Sequence, residues 1–346
     1  MVIHPGEVKN NAISEKPDFF VKTVIAYRTS KIIFVATYYD IFTLLNNGEK
    51  SLDELTKYLG LDPRVTELLL NALLSLGLLK KEDIFYYNTP LSENFLVQGK
   101  PAYLGDNLKM QELLWDCWSG LRNVLKTGKP TRLLEDLLSE QSPQFRREYI
   151  YGMHNIAQNF AKAILQKVDL SVVNSMLDVG GGPGTYSIIF AKKYLGLKCI
   201  IMDLPEVLDV TKEIVKEYHL LERISLYKGN YLYDDFGSGY DLILMSNITH
   251  NEGDETNQLL CDKAYSALNS KGLLVINDFL LDESKTDPLF PAIFSIFMTT
   301  FTKDGRTYSF NEYKSCMENS GFINIQRMNI MEHSLNPSAI VVGRKQ

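Results

Sequence analysis

From Ser175 onward the chain alternates short apolar runs with helix-length amphipathic segments, and this alternation constrains the fold more than any other feature. The runs "SMLDV", "KCIIM", "RISLY", "YDLILMS" and "GLLVIN" have strand length. The segments "TYSIIFAKKYLG", "PEVLDVTKEIVKEYH" and "DETNQLLCDKAYSAL" have helix length and lie among them. Strands that are apolar throughout and joined by helices must be covered on both faces, which predicts a mostly parallel sheet between two helical layers. Two later runs, "FINIQRMNI" and "SAIVVGR", are expected to close that sheet as an antiparallel pair.

The first hundred residues follow a different rule. Residues 31–48 show helical apolar spacing up to Gly48, and "SLDEL" opens a second helix with a capping box formed by Ser51 and Glu54. Asp62 then stands as N-cap with Pro63 at the first helical position, and "LLKKEDIFYYNT" reads as a hairpin about Lys81–Asp83. Three helices followed by a hairpin is a winged-helix pattern. As a DNA reader it fails on charge. Lys50, Lys57, Arg64, Lys80 and Lys81 are offset by Asp53, Glu54, Asp62, Glu67, Glu82 and Asp83, so the phosphate neutralisation that drives such binding is missing. A packing or dimerisation module is expected instead. Residues 104–168 read as a helical collar. The expected division is a winged-helix-like domain over 1–103 and a second domain over 104–346, with the sheet beginning at 169.

Composition narrows the function. A hydrophobic content of 45% with 23% charged residues suits an ordinary globular protein, and a net charge of −6 disfavours a nucleic-acid surface over the whole molecule. Cys117, Cys199, Cys261 and Cys316 form no C-x-x-C pair, so no metal or redox site is expected. The start "MVIHPGEVKNN" lacks a secretion-signal pattern, and no apolar run reaches the ~18 residues of a membrane span. These observations predict a cytoplasmic enzyme or binding protein with no nucleic-acid or membrane partner.

The turn "LDVGGGPGTYS" joins the first strand of the sheet to its first helix, where α/β sheets bind ligands. A dinucleotide fingerprint needs G-x-G-x-x-G, but the sixth position here is Thr185. What stands is G-x-G-x-G, with Gly180, Gly182 and Gly184. That form is typical of S-adenosylmethionine sites in Rossmann-like sheets. Asp203 closes the second strand about 20 residues on, where a carboxylate can accept both ribose hydroxyls of an adenosine ligand.

The fourth apolar run ends in "MSNITHNEGDE", which places His250 on the ligand side of the sheet. A neutral imidazole is suited to accept a proton near pH 7, and Asp278 at the end of "GLLVIND" is suited to orient it. His4, His219 and His333 lie in a polar tail or near element ends, and His154 sits beside Met153 in the collar.

With these motifs in order, the chain resembles the dimeric class I O-methyltransferases that act on small molecules, which include plant caffeate-type enzymes and the animal acetylserotonin enzyme. The resemblance rests on "LDVGGGPG", "DLPEV", "GN-Y" after the third strand, "THNEGDE", "GRT" before "NSGF", and "SLDELTKYLGLDPRVTELLLNALLSLGLLKK" as the dimerisation segment. It implies a homodimer that uses S-adenosylmethionine. Gly180, Gly182, Gly184, Asp203 and Leu204 would hold the cofactor, with Asn230 and Tyr231 flanking its adenine. Asn247 would lie near its methionine end, and Phe160 would cover it. His250 falls on the general base and Asp278 on its orienting carboxylate. Met153, Asn251, Phe297, Met298 and Phe301 fall on the substrate pocket, which implies a flat, apolar, aromatic acceptor.

Four positions depart from the family pattern. His250-Asn251-Glu252 replaces His-Asp-Trp, Asn230 replaces an acid, Asp278 replaces the longer glutamate often found there, and Gly305 stands where a second carboxylate precedes "RT", with Asp304 one step away. Other readings remain: a cofactor-binding homologue without turnover, a nicotinamide oxidoreductase and, least supported, a winged-helix regulator.

Overall fold

A computed structural model of the chain describes residues 17–140, 143–332, 334 and 336–346. His4, His333 and the N-terminal segment of the sequence reading lie outside the described residues. Two compact units part between Trp115 and Asp116. The sequence reading placed that division after residue 103. The difference arises because α6 (Gly105–Leu113), assigned to the collar, packs on α1 (Pro17–Tyr38) within the first unit.

In the first unit, α1 begins well before residue 31, and the expected single helix to Gly48 is broken. Asp40 adopts φ +53, and α2 (Ile41–Asn46) starts after it. Lys109 fixes that residue by an ion pair of 2.8 Å to its Oδ1. The capping box forms as read: the Ser51 N–H donates to Glu54 Oε2 at 2.7 Å ahead of α3 (Leu52–Leu59). Asp62 caps α4 (Pro63–Ser75), and the hairpin follows as β2 (Leu79–Glu82) and β3 (Phe85–Asn88). A short β1 (Lys50–Ser51) joins the far side of β3, and α5 (Pro90–Phe95) completes the unit. Ile41, Phe42, Leu55, Leu70, Leu73 and Tyr86 form its core.

The second unit opens within α7 (Trp115–Ser119), which is followed by α8 (Leu121–Thr127), α9 (Leu134–Glu140) and the long α10 (Pro143–Lys167). Then come β4 (Ser175–Val179), α11 (Thr185–Lys193), β5 (Lys198–Asp203), α12 (Pro205–Glu217), β6 (Ile224–Lys228) and β7 (Tyr240–Ser246). They are followed by α13 (Asp254–Ala267), β8 (Leu268–Asp278), α14 (Leu289–Met298), α15 (Phe310–Asn319), β9 (Ile323–Ile330) and β10 (Ser338–Arg344). The sheet order is β6-β5-β4-β7-β8-β10-β9. Neighbours from β6 to β8 are parallel, and β10 runs antiparallel to both β8 and β9, so the last two runs pair as expected.

Side chains alternate between the two layers. Met176, Leu242 and Leu244 face one core with Ile188, Phe190 and Ile214, while Leu177, Ile243 and Met245 face the other with Leu260, Ala264 and Met317. The chain leaves β4 toward β5 on one side and returns to β7 on the other. This places a topological switch point at the carboxyl ends of β4 and β7, where such sheets open a crevice.

Candidate active site

Between β4 and α11 the glycines adopt left-handed conformations, with φ +60 at Gly180, +52 at Gly182 and +71 at Gly184. A Cβ on Gly180 would stand 2.7 Å from Ile248 Cγ2, and one on Gly184 would stand 2.5 Å from Ile201 Cδ1. At Gly182 a Cβ would meet nothing within 4 Å. Packing therefore dictates the outer two glycines, whereas the middle one bares backbone to open space. Asp178 lies beneath the loop, fully buried. Ser187 Oγ donates to its Oδ2 at 2.7 Å, and burial pushes its carboxyl up to about 7.

Asp203 ends β5 with both oxygens engaged. The Gly182 N–H donates to Oδ2 at 2.8 Å and the Leu204 N–H to Oδ1 at 2.7 Å. Burial pushes this carboxyl up to about 6, against the downward pull of the two N–H groups. Each carboxylate oxygen accepts about two hydrogen bonds, so one place on each remains for a pair of neighbouring hydroxyls. After β6, Asn230 turns the chain by accepting the Leu232 N–H at 2.9 Å. Tyr231 brings its ring within 3.5 Å of the Cβ position of Gly180. Its hydroxyl donates to Glu252 Oε1 at 2.7 Å and also meets Asn251. At the end of β7, Asn247 holds φ +57, a conformation that costs about 1 kcal/mol for a residue with a side chain. Three donors converge on its Oδ1: Ser246 Oγ, Tyr186 OH and Asn277 Nδ2.

The structure thus brings the glycine loop, Asp203, Leu204, Tyr231 and Asn247 to one edge of the sheet, with Asn230 in the loop that carries Tyr231. An open backbone face, a half-buried carboxylate with room for two hydroxyls and an aromatic ring beside them fit a nucleoside-bearing ligand.

A single 3-10 turn, Thr249–Asn251, follows β7 and carries His250, which is buried. Its Nδ1 lies 2.6 Å from Asp278 Oδ1. In the neutral imidazole this contact places the proton on Nδ1 and the lone pair on Nε2, which has no hydrogen-bond partner among the described residues. Asp278 is fully buried and takes four donors. His250 Nδ1 and the Phe279 N–H (2.8 Å) reach Oδ1, while Thr249 Oγ1 (2.7 Å) and Tyr313 OH (3.0 Å) reach Oδ2. Burial alone would raise its pKa, but the adjacent imidazole and these donors hold it below the usual carboxylate value. From β10, Ser338 Oγ donates to the Asp278 carbonyl at 2.9 Å, and Ala339 pairs with Asp278 across the sheet.

Aromatic rings surround the imidazole. Phe279 is near-parallel to it at 6.3 Å and Phe294 stands edge-on at 4.9 Å. Phe290 and Phe294 stack on each other, Phe297 links Phe294 to Phe301, and Trp118 stacks on Phe297 at 4.9 Å. Phe160 reaches the same cluster through Phe279 at 5.9 Å. Met153 lies half-buried two helical turns before Phe160, on the same face of α10, and Met298 is buried on α14 beside Phe297.

The positions that depart from the family pattern also acquire a physical setting. A Cβ on Gly305 would stand 2.3 Å from Thr302 Oγ1 and 2.5 Å from the His250 carbonyl oxygen, so no side chain fits there. Asp304 is exposed and lies 3.8 Å from Lys303. The competing His154 is buried with both nitrogens engaged, by Thr185 Oγ1 at 2.8 Å and Tyr218 OH at 3.2 Å, and burial lowers its pKa to about 4.

Phe279, Phe290 and Phe294 were missed in the sequence, although the four-residue spacing of the latter two, leading into Phe297, was a readable signal. Trp118, Thr249, Tyr313 and Asp178 gave none, because their roles depend on contacts distant in sequence. Among the described residues no cluster of metal-binding side chains occurs.

Comparison with known proteins agrees with this geometry. The profile of the O-methyltransferase domain matches residues 135–323, and that of the O-methyltransferase dimerisation domain matches residues 21–98. The chain is 28% identical to a 3-hydroxy-5-methyl-1-naphthoate 3-O-methyltransferase of Streptomyces sahachiroi, covering 88% of each. It is 27% identical to the acetylserotonin O-methyltransferase of Bos taurus, covering 87% of this chain and 90% of the relative. In fold it is similar to human N-acetylserotonin methyltransferase solved in complex with SAM, with a TM-score of 0.84 and 24% identity over 97% of this chain and 99% of the other.

Proposed function

Because both units match its profiles, the chain belongs to the O-methyltransferase family, and from that premise we propose that His250 is the general base deprotonating a flat aromatic hydroxyl acceptor. The enzyme is a methyltransferase of small molecules, and S-adenosylmethionine supplies the electrophilic methyl group and its own leaving group when bound. The bare backbone at Gly182 and the free places on the Asp203 oxygens suit its ribose. Leu204, Asn230 and Tyr231 suit the adenine, Asn247 suits the methionine end, and Phe160 would cover the cofactor. The N-terminal unit, with its helices and hairpin, is read as a winged-helix-like dimerisation module.

One observation carries the base assignment: a buried imidazole whose Nδ1 is held by a carboxylate and whose Nε2 is bare among aromatic rings. A phenol has a pKa of about 10, so its deprotonation at pH 7 lies about 4 kcal/mol uphill, within the range that a positioned base contributes. His250 Nε2 takes the hydroxyl proton as the oxygen attacks. Asp278 fixes the tautomer and stabilises the imidazolium that results. The rings of Phe294 and Phe297 orient a planar acceptor and exclude water, which strengthens both effects. The relatives named for a hydroxynaphthoate and for acetylserotonin support an acceptor of this kind.

Calorimetry with S-adenosylmethionine, followed by a methylation screen over phenols, indoles and catechols, tests the proposal. His250→Gln is expected to lower turnover by about 10²–10⁴-fold with cofactor affinity unchanged. Cofactor binding without turnover on any aromatic hydroxyl, or a His250→Gln variant with full activity, would sink it.

A further inference from the structure

We infer that Thr249 and Tyr313 are positioning residues, whose hydroxyls lock the Asp278 carboxylate so that Oδ1 alone serves His250. This rests on reading His250 as the base. The terminal torsion of an aspartate is broad and roughly two-fold, so a carboxylate held only at one oxygen swings freely about it. Here Oδ2 is bound from two directions: by Thr249 Oγ1 at 2.7 Å, from the turn that carries the base, and by Tyr313 OH at 3.0 Å, from α15. The two hydroxyls lie 2.8 Å apart, and with both protons directed at Oδ2 neither donates to the other. Both positions are themselves fixed. Tyr313 is 1% exposed, and the Thr249 carbonyl accepts Asn257 Nδ2 at 2.9 Å.

No carboxylate from the 303–305 loop shares this task, because Gly305 has no room for a side chain and Asp304 lies at the surface beside Lys303. The hydroxyls also act electrostatically. Donors to a carboxylate reduce its basicity and so moderate its hold on a protonated imidazole. Other ionisable groups near the turn include Glu252, which follows it and interacts electrostatically with His250, and Tyr231, whose hydroxyl meets Glu252 and Asn251. Tyr186 interacts with Asp278, and the Tyr308 hydroxyl donates to the Glu252 carbonyl. From α14, which carries no charged residue, the imidazole meets Phe294.

The test compares Tyr313→Phe and Thr249→Val, each nearly isosteric, with Thr249→Ser as the rescue that restores the hydroxyl. Two readouts are taken on the full chain. One is the kcat–pH profile with whichever phenol, indole or catechol the screen returns. The other, which needs no acceptor, is the downfield proton resonance of the His250 Nδ1–H, assigned by its loss in His250→Gln. Tyr313→Phe and Thr249→Val should each lower kcat about tenfold, move the acid limb to higher pH by about half a unit or more, and shift the downfield resonance. Affinity for S-adenosylmethionine should stay within about twofold, and Thr249→Ser should recover the wild-type profile. Wild-type kcat, acid limb and resonance in both variants, alongside an inactive His250→Gln, would overturn the positioning role and leave the base intact. An active His250→Gln would instead remove the base reading and this inference with it.

Discussion

Asp203 joins a structural role to the binding role proposed for it. It braces the glycine loop through the Gly182 N–H, and the ribose reading needs it ionised. Its folded pKa of about 6 lies above the ordinary carboxylate value. Ionising it at neutral pH therefore costs the unliganded fold stability, which returns as pH falls through about 6. A ligand that requires the anion follows the opposite course. S-adenosylmethionine affinity is expected to fall below about pH 6, approaching tenfold per unit, and calorimetry across that range checks it. Asp203→Asn should weaken binding at pH 7 and flatten the dependence.

The neighbouring glycines separate fold from function at the same scale. Gly184→Ala meets Ile201 and a left-handed backbone together, and should cost about 2 kcal/mol in denaturant unfolding. Gly182→Ala meets no protein atom, so it should cost only about 1 kcal/mol while abolishing most cofactor affinity. The G-x-G-x-G spacing marked all three positions in the sequence. It could not say which glycines pack and which one borders open space, since that depends on Ile201 arriving from β5 and Ile248 from just before the 3-10 turn.

Among the elements, α14 shows how far a periodic pattern can be read. Its segment "LFPAIFSIFM" is apolar nearly all round, so amphipathicity gives no inner face. The structure supplies it. Phe294 and Phe297 turn toward the imidazole and its ring cluster, whereas Leu289, Ile293 and Ile296 remain 70%, 50% and 43% exposed. Phe294→Ala removes the edge-on ring nearest His250. It should lower kcat/KM for an aromatic acceptor tenfold or more while leaving S-adenosylmethionine affinity unchanged, as steady-state kinetics and calorimetry would show. The strands were legible because buried parallel strands must be apolar throughout. The break between α1 and α2 was not, because Asp40 is held by Lys109, a partner far along the chain. The contact between His250 and Asp278 was legible only as a pair. The two hydroxyls behind it come from a turn and a distant helix, and nothing local marks them.

For the whole molecule, the first unit leaves an apolar face on α1, with Phe19, Phe20, Val24 and Tyr27 each more than half exposed. Patches of this kind mark association surfaces, which agrees with the matched dimerisation domain. Phe20→Glu is expected to shift the protein toward monomer in sedimentation velocity while leaving its helical content intact. No helix among the described residues is long and apolar enough to cross a membrane.

The seat of Asp278 also has a consequence in time. Its backbone is flanked by β10, where Ser338 and Ala339 bond to it, yet β10 is synthesised after every other strand of the sheet. A nascent chain can assemble the glycine loop and β4–β7 long before the acid behind His250 acquires its final neighbour. On the proposed reading of His250 as base, a chain cut short of Ser338 should fold in part but fail to turn over.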